Sequence, residues 1–336
     1  MKLWAVHPSC HQIPKGARWI YADDDLAGYT AAATRFGTEN RLLSPSAFQS
    51  EMLAMSEDFL RWIDDALEGF PADYWIPASF LKDIYCTPMF LHFACLRMAA
   101  SRAAQGQNIA IITNSPVLTR QIQSLDQRGF AARLNCTVAD ISGLIPEFFR
   151  FIGRALLFYL RARVAGHFLQ QLRIETPQIL VDTFLFEGDI SSDGCFRDRF
   201  FPGLVEWFNQ NGVAAASMPF TGNIRLSRLP AVYKAMHKCR VPFVVIERYL
   251  GIFDFLAGMG RALNSFFRPP AFSKTAFARS CFSNLARHWW RISTLNTVTA
   301  QILRRAPRNL SRRGIAPNWV LEWYENQPID KALTLG

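Results

Sequence analysis

A mostly apolar segment in the middle of the chain is followed at once by acidic and basic side chains. After residues 178–181 come the polar residues Asp182, Thr183, Asp189, Asp193, Arg197 and Arg199. Carboxylates can take a proton from a substrate hydroxyl, and guanidinium groups bind anionic groups. For any single acid, the preference of Asp for caps and turns favours a structural role. As a group, these residues are the best candidates for chemistry in the chain.

The elements around this loop follow the order strand, polar loop, helix and strand, which is a βαβ unit. The first strand is predicted over 178–181, the helix over 198–209 and the second strand over 213–218. Ligands of parallel sheets bind just beyond the carboxyl ends of the strands. The loop therefore lies where a binding site is expected.

Two more apolar runs predict further strands, over 108–113 and 241–246. Together the four runs indicate one parallel sheet with helical crossovers, an α/β fold of Rossmann-like type. Ser115 followed by Pro116 predicts that a helix begins after the 108–113 strand. Glu247 and Arg248 directly follow the 241–246 run and are further candidates for substrate binding.

The positive charge of the chain is concentrated in one segment. The net charge is +10, and residues 255–321 contain eleven Lys and Arg but no Asp or Glu. We expect helices there, broken near Pro269 and Pro307, with Trp289 and Trp290 on exposed faces. Such a segment predicts an anionic partner. Nucleic acid would fit the charge, but no nucleic-acid-binding motif accompanies it, so an anionic lipid surface is favoured and no nucleic acid is expected.

Residues 146–172 predict an amphipathic helix that is rich in Phe, Leu and Arg. Such a helix suits the surface of an anionic bilayer. A core helix whose arginines extend along its flanks to water has the same pattern. No window offers the roughly 18 uncharged apolar residues that a spanning helix needs. If the chain contacts a membrane, we expect peripheral contact through 146–172 and 255–321.

Sequence motifs of several enzyme classes are missing. Without GxGxxG, GxxxxGK[ST] or GxSxG, a NAD enzyme, a P-loop NTPase and an α/β-hydrolase are disfavoured. Seven scattered cysteines without a CxxC pair indicate no disulfide framework and a reducing compartment. His7, Cys10 and His11 lack a fourth ligand nearby, and the run Asp23 to Asp25 favours a turn. No metal is therefore expected.

The string WYENQPIDKAL, together with DTFLF and DRFFPGL upstream, resembles a family of bacterial surface-carbohydrate biosynthesis proteins related to GT-B glycosyltransferases. The resemblance covers residues 177–336 best. It implies a GT-B-like N-terminal half, a nucleotide-sugar donor as co-substrate with no further cofactor, and a lipid-linked glycan acceptor of O-antigen or capsule assembly. It also implies a cytoplasmic protein, peripheral to the inner face of the cytoplasmic membrane. Glu325, Asn326, Gln327 and Lys331 become substrate-binding candidates through the resemblance alone.

For a transferase of this kind, Asp182, Asp189 and Asp193 are the candidate bases, and Arg197 and Arg199 would hold acceptor phosphate. In the family, the string lies near the entry to a second Rossmann-like domain, whereas this chain ends at Gly336. The expected domains are an acceptor-side Rossmann-like domain over 1–254, a basic aromatic-rich helical segment over 255–321, and the start of a truncated second Rossmann-like domain over 322–336. The alternative function is a non-catalytic peripheral-membrane or scaffold protein of the same pathway.

Overall fold

A computed structural model of the protein describes residues 2–83, 87–126, 131–170, 176–191, 194–272, 283–322 and 328–336. It is a mixed α/β protein with two parallel three-stranded sheets. The strands are β1 (Lys2–Val6), β2 (Arg18–Tyr21) and β3 (Asn108–Ile112) in the first sheet, and β4 (Ile179–Phe184), β5 (Ala215–Phe220) and β6 (Trp319–Leu321) in the second. The prediction of an α/β fold with parallel strands is confirmed. The prediction of one sheet is wrong, because β3 and β4 belong to different sheets.

The helices of the described residues are α1 (Leu26–Phe36), α2 (Pro45–Leu67), α3 (Trp75–Lys82), α4 (Met89–Ala104), α5 (Pro116–Asp126), α6 (Ala131–Phe168), α7 (Leu204–Gln210), α8 (Leu229–Met236), α9 (Ile252–Phe267), α10 (Ser283–Asn296), α11 (Val298–Leu303), α12 (Ala306–Arg312) and α13 (Pro328–Thr334). As predicted, α5 begins at Pro116, and the Leu118 N–H donates to the Ser115 hydroxyl at 3.3 Å. None of these helices has an apolar stretch long enough to cross a bilayer.

The chain divides into two compact units, each built from two separated stretches. Unit 1 contains Met1–Phe148 and Ser265–Leu295, and unit 2 contains Phe149–Asn264 and Asn296–Gly336. The divisions fall inside α6, near the end of α9 and at the end of α10. The units therefore do not coincide with the contiguous ranges that the sequence indicates.

In unit 1, the strand order is β1–β3–β2, and both faces of the sheet are covered. Ile109 and Ile111 of β3 belong to the larger core, which also contains residues of α2, α4 and α10. Trp290 of α10 is fully buried there, so its predicted exposure is wrong. Its ring stacks on Tyr74 at 5.5 Å and its indole N–H donates to the Ser265 carbonyl at 3.0 Å. This hydrogen bond satisfies the polar end of the indole inside the core.

In unit 2, β4 lies between β5 and β6. One face of the sheet packs on α6 and α8 through a core that includes Val181, Tyr233 and Phe243. The strand predicted over 241–246 is wrong. This run is buried and apolar, but it makes only the isolated bridge Ser217 to Phe243 before a 3-10 turn at Ile246–Tyr249. Its Pro242 also lacks the N–H that a regular ladder would use.

Candidate functional site

Asp182 and Glu322 lie side by side at the carboxyl edge of the second sheet. β4 pairs with β6 up to Val181 and Leu321, and Asp182 pairs with Met218 of β5 on the other side. Strand β6 ends at Leu321, and Glu322 directly follows it, close enough for its charge to act on Asp182. The sequence pattern places Asp182 in a loop after the strand, but β4 continues to Phe184, so Asp182 lies inside the strand. Glu322 lies far away in the sequence, and only the strand register reveals it.

Both carboxyl groups hold their protons more tightly than usual. Burial raises the pKa of Asp182 well above its ordinary value, and the charges of Glu322 and Asp330 add to this effect. Burial and the charge of Asp330 raise the pKa of Glu322 to about 7, although Lys331 opposes them. A carboxyl whose pKa approaches the working pH is well suited to accept a proton and release it again.

A cavity of about 260 Å³ opens in unit 2 at the carboxyl end of β5. Phe220 of β5 lines the cavity and pairs with Phe184, two residues beyond Asp182 on β4. This spacing puts Phe220 about 7 Å further along the strands than Asp182. Ile329 of α13 also lines the cavity and directly precedes Asp330. The cavity and the three carboxyl groups are therefore neighbours within unit 2.

Two arginines of α6 make this cavity basic. Arg154 and Arg161 line it together with Asn223 and the Thr299 side chain. Arg154 donates to the side-chain oxygen of Asn296. These guanidinium, amide and hydroxyl groups can all donate hydrogen bonds to the oxygens of a phosphate group. Arg154 and Arg161 are seven residues apart, which puts them on one face of the helix. The seven-residue spacing is visible in the sequence, but there it is interpreted as part of the amphipathic pattern of 146–172 and not as a binding site.

Buried polar contacts hold the loop after β5 in place. Arg161 is buried and donates to the carbonyls of Thr221 (2.9 Å) and Ile224. Glu247 is fully buried, and its Oε1 accepts from the Thr221 hydroxyl at 2.7 Å and the Thr221 N–H at 3.2 Å. Burial raises the pKa of Glu247, against the opposing Thr221 bonds and the Arg161 charge. A Cβ at Gly222 would overlap the Phe220 ring, so the loop needs glycine there.

Thr183 and Asp198 connect β4 to the segment before α7. The Thr183 hydroxyl donates to the Asp198 Oδ1 at 3.0 Å, and the same oxygen accepts from the N–H groups of Phe200 (2.8 Å) and Phe201 (3.0 Å). Both side chains are buried. These bonds hold residues 198–203 outside a helix, so the predicted helix start at Asp198 is wrong and α7 begins at Leu204. The hydroxyl of Thr183, a predicted binding residue, is therefore used in this structural hydrogen bond.

Asp189 and Arg199 form an ion pair within the loop after β4. Asp189 is buried, and it accepts from the Phe186 N–H at 2.8 Å and from the Arg199 Nε at 2.8 Å. The Arg199 guanidinium also lies over the Phe186 ring at 4.4 Å. Both oxygens of Asp189 are therefore engaged within its own loop. Of the two predicted bases that the structure describes, Asp182 is therefore the one whose side chain is not held within its own loop.

The other predicted site residues have varied positions. Arg197 is exposed and does not line the cavity, while Arg248 donates to the Gln170 carbonyl at 3.2 Å. Lys331 lies on α13, where its charge acts on Glu322. The remaining predictions fall outside the described residues, at Asp193, Glu325, Asn326 and Gln327.

Within the described ranges, no three His, Cys, Asp or Glu side chains are grouped so as to hold a metal ion. Asp182, Glu322 and Asp330 lie in the same unit as the basic cavity. Together these residues offer a base, an anion site and an aromatic wall within unit 2. No family model, no curated protein and no solved structure matches the chain.

Proposed function

We propose that the protein is a glycosyltransferase of bacterial surface-polysaccharide assembly that acts on a lipid-linked acceptor. One observation carries the proposal: Asp182, with its raised pKa, lies on β4 beside β5, whose last residue, Phe220, lines the cavity of Arg154 and Arg161. A base near a cavity lined by two arginines fits an acceptor whose reacting sugar is attached to pyrophosphate. The resemblance of residues 177–336 to GT-B-related proteins points in the same direction.

In the proposed reaction, Arg154 and Arg161 bind the pyrophosphate of the acceptor, so that a hydroxyl of the adjoining sugar faces Asp182. The hydroxyl oxygen attacks the anomeric carbon of the nucleotide-sugar, and Asp182 takes the hydroxyl proton. The bond between the anomeric carbon and the donor diphosphate breaks, and its electron pair leaves with the nucleoside diphosphate. Burial, together with the charges of Glu322 and Asp330, keeps the pKa of Asp182 high, which strengthens it as a base.

Helix α6 connects this cavity with an apolar surface. Its exposed residues include Phe149 and Leu156, and the neighbouring α9 exposes Phe253, which is 78% accessible. The two helices pack through Phe158 and Phe255, whose ring centroids are 5.6 Å apart. Exposed Arg150 and Arg163 flank the apolar residues on α6. A peripheral position on an anionic membrane surface, with the lipid of the acceptor in the bilayer, would cover these side chains.

The test is a transfer assay with the full chain on anionic vesicles that contain a polyprenyl-diphosphate-linked sugar. UDP-sugars and GDP-sugars are offered in turn, and release of the nucleoside diphosphate is measured. We expect Asp182→Asn to lower kcat by about 100-fold or more, because the general base is lost. Arg154→Gln should raise KM for the acceptor, while Arg197→Gln, which removes an exposed arginine outside the cavity, should change neither constant.

Circular dichroism of each variant checks that it folds. The proposal fails if no donor is turned over by the wild-type chain. It also fails if Asp182→Asn leaves turnover unchanged, or if Arg197→Gln and Arg154→Gln have equal effects.

The second candidate function is a non-catalytic scaffold that binds the membrane surface. The exposed apolar residues of α6 and α9 favour this function, because binding to a membrane surface through them requires no catalytic residues. It predicts flotation with anionic vesicles that weakens as salt is added, without turnover of any sugar nucleotide. Absence of flotation at low salt would exclude both this function and the membrane contact of the transferase.

A further inference from the structure

Unit 1 contains a separate cavity of about 370 Å³ at the carboxyl edge of its own sheet. One side is formed by Asp23, Asp24 and Asp25, which follow β2. His92 of α4 and His288 and Trp289 of α10 form the other side. The volume is within the range of about 300–1,000 Å³ that small-molecule sites occupy. None of these residues takes part in the function proposed above.

Three buried polar atoms at this cavity have no hydrogen-bond partner: His92 Nδ1, His288 Nδ1 and Trp289 Nε1. His92 is 2% exposed and His288 is 7% exposed. Both rings pack on Trp289, at 5.5 Å and 5.8 Å between centroids. Buried polar groups almost always have a partner, because leaving one without costs about 1–3 kcal/mol. Three such atoms around one cavity indicate a ligand that supplies the partners.

The two histidine rings are uncharged, so they interact with a ligand through hydrogen bonds and not through charge. Burial lowers the pKa of His92 to about 3, with a smaller effect of His288, against a hydrogen bond with the Ala22 backbone. Since Nδ1 has no partner, that bond belongs to Nε2, and Nδ1 is left as an acceptor. Burial and the charges of Arg120 and Arg291 lower the pKa of His288 to about 4. Both rings are therefore neutral at physiological pH, and the Trp289 N–H adds one donor.

The opposite side of the cavity is acidic. Asp23 accepts from the Thr113 hydroxyl at 2.7 Å and from the Asn114 N–H at 2.6 Å, so its carboxylate already satisfies the start of α5. Asp25 accepts from the Tyr21 hydroxyl at 2.5 Å. Asp24 is exposed. Among the described residues that line the cavity there is no Lys or Arg. An anionic ligand would be repelled at this side, whereas a cation would be attracted.

We propose that this cavity binds a small hydroxylated amine, with the ammonium group at Asp23 and Asp24 and the hydroxyl groups at His92, His288 and Trp289. Ammonium N–H groups donate to the carboxylates in charge-assisted hydrogen bonds. Ligand hydroxyls donate to the His92 Nδ1, pair with the His288 Nδ1 as donor or acceptor, and accept from the Trp289 Nε1, and this satisfies all three unpartnered atoms. A metal ion would leave the Trp289 N–H without an acceptor.

The experiment measures binding by calorimetry with the full chain and three probes of one shape, at a pH where the amine is protonated. The probes are glucosamine, glucose and glucose 6-phosphate. We expect glucosamine to bind at least about tenfold more tightly than glucose, since only glucosamine makes charge-assisted bonds. Glucose 6-phosphate should bind more weakly than glucose.

Two variants locate the binding, and a third is the control. Asp24→Asn removes an exposed charge and should weaken glucosamine binding about threefold without weakening glucose binding. Trp289→Phe keeps an aromatic ring but removes the N–H, and should weaken both sugars about three- to tenfold. Asp65→Asn makes the same charge change on the exposed side of α2 and should alter neither. The proposal is overturned if no probe binds, if glucose binds as tightly as glucosamine, or if both cavity variants bind like the wild type.

Discussion

Replacement of Glu322 by Gln should make the stability of the protein less dependent on pH. The pKa of Glu322 moves from its ordinary value of 4.5 to about 7 in the folded protein. The folded state therefore holds this proton more tightly than the unfolded state does. Its stabilising contribution is complete below pH 4.5 and is lost as the pH rises to about 7. A Gln side chain has no such proton, so its contribution to stability does not change over this pH range.

The size of the effect follows from the pKa change. One pKa unit corresponds to about 1.4 kcal/mol, so a fully shielded Glu322 would lose about 3 kcal/mol between acid and neutral pH. Glu322 is only half-buried, and solvent screening reduces the expected loss to about 1–2 kcal/mol. Relative to the wild type, Glu322→Gln should therefore gain about 1–2 kcal/mol in the free energy of unfolding on going from pH 5 to pH 8.

Urea denaturation at pH 5 and pH 8 measures this change, with Glu187→Gln as an exposed control of the same chemistry in unit 2. Because the charge of Glu322 also raises the pKa of Asp182, the variant should titrate Asp182 at lower pH, and any turnover should extend to lower pH as well. If the difference between Glu322→Gln and the wild type is the same at both pH values, burial and Asp330 do not raise the pKa of Glu322 in the folded protein.

Three further changes test other parts of unit 2. Thr183→Val should lower the free energy of unfolding by about 1–2 kcal/mol in urea denaturation, because buried Asp198 loses the hydroxyl that donates to it. Gly194→Ala should cost about 1–3 kcal/mol, since its φ is +83° and a Cβ would lie 2.6 Å from the Lys238 carbonyl. Gly212→Ala, with φ +78° but open space around it, should cost less in the same assay. Phe253→Ser should change stability by less than about 0.5 kcal/mol yet reduce flotation with anionic vesicles, because this side chain is exposed.

Local patterns in the sequence predict most of the elements that are long or well capped. The strand predicted over 108–113 is found as β3, and the strands predicted over 178–181 and 213–218 overlap β4 and β5. The Ser115–Pro116 pair marks the start of α5 because the cap is made by residues close in the chain. Strand β6 has only three residues, and its pairing with β4 joins distant parts of the chain, so no local pattern identifies it.

The candidate site was predictable only in part for the same reason. Asp182 follows directly from its place at the end of a buried run. Glu322 and Asp330 reach it through strand register and a short helix near the end of the chain. The burial of Trp290 shows the same limit: its neighbours in sequence are basic, but Tyr74, far away in the sequence, stacks on its ring. A pattern can identify an amphipathic helix, but the face that becomes buried depends on distant partners.

During synthesis on the ribosome, neither unit can complete its core until a stretch of the other unit has been made, because each unit is built from two separated stretches. Trp290, which completes the core of unit 1, emerges only after 149–264, the first stretch of unit 2. Strand β6 then emerges later still, and until it does, one edge of β4 has no partner. Contiguous domains can fold one after another during synthesis, but interleaved ones cannot. The nascent protein therefore carries two incomplete cores at once until Trp290 and β6 have emerged, and we expect chaperones that shield apolar surface to assist its folding.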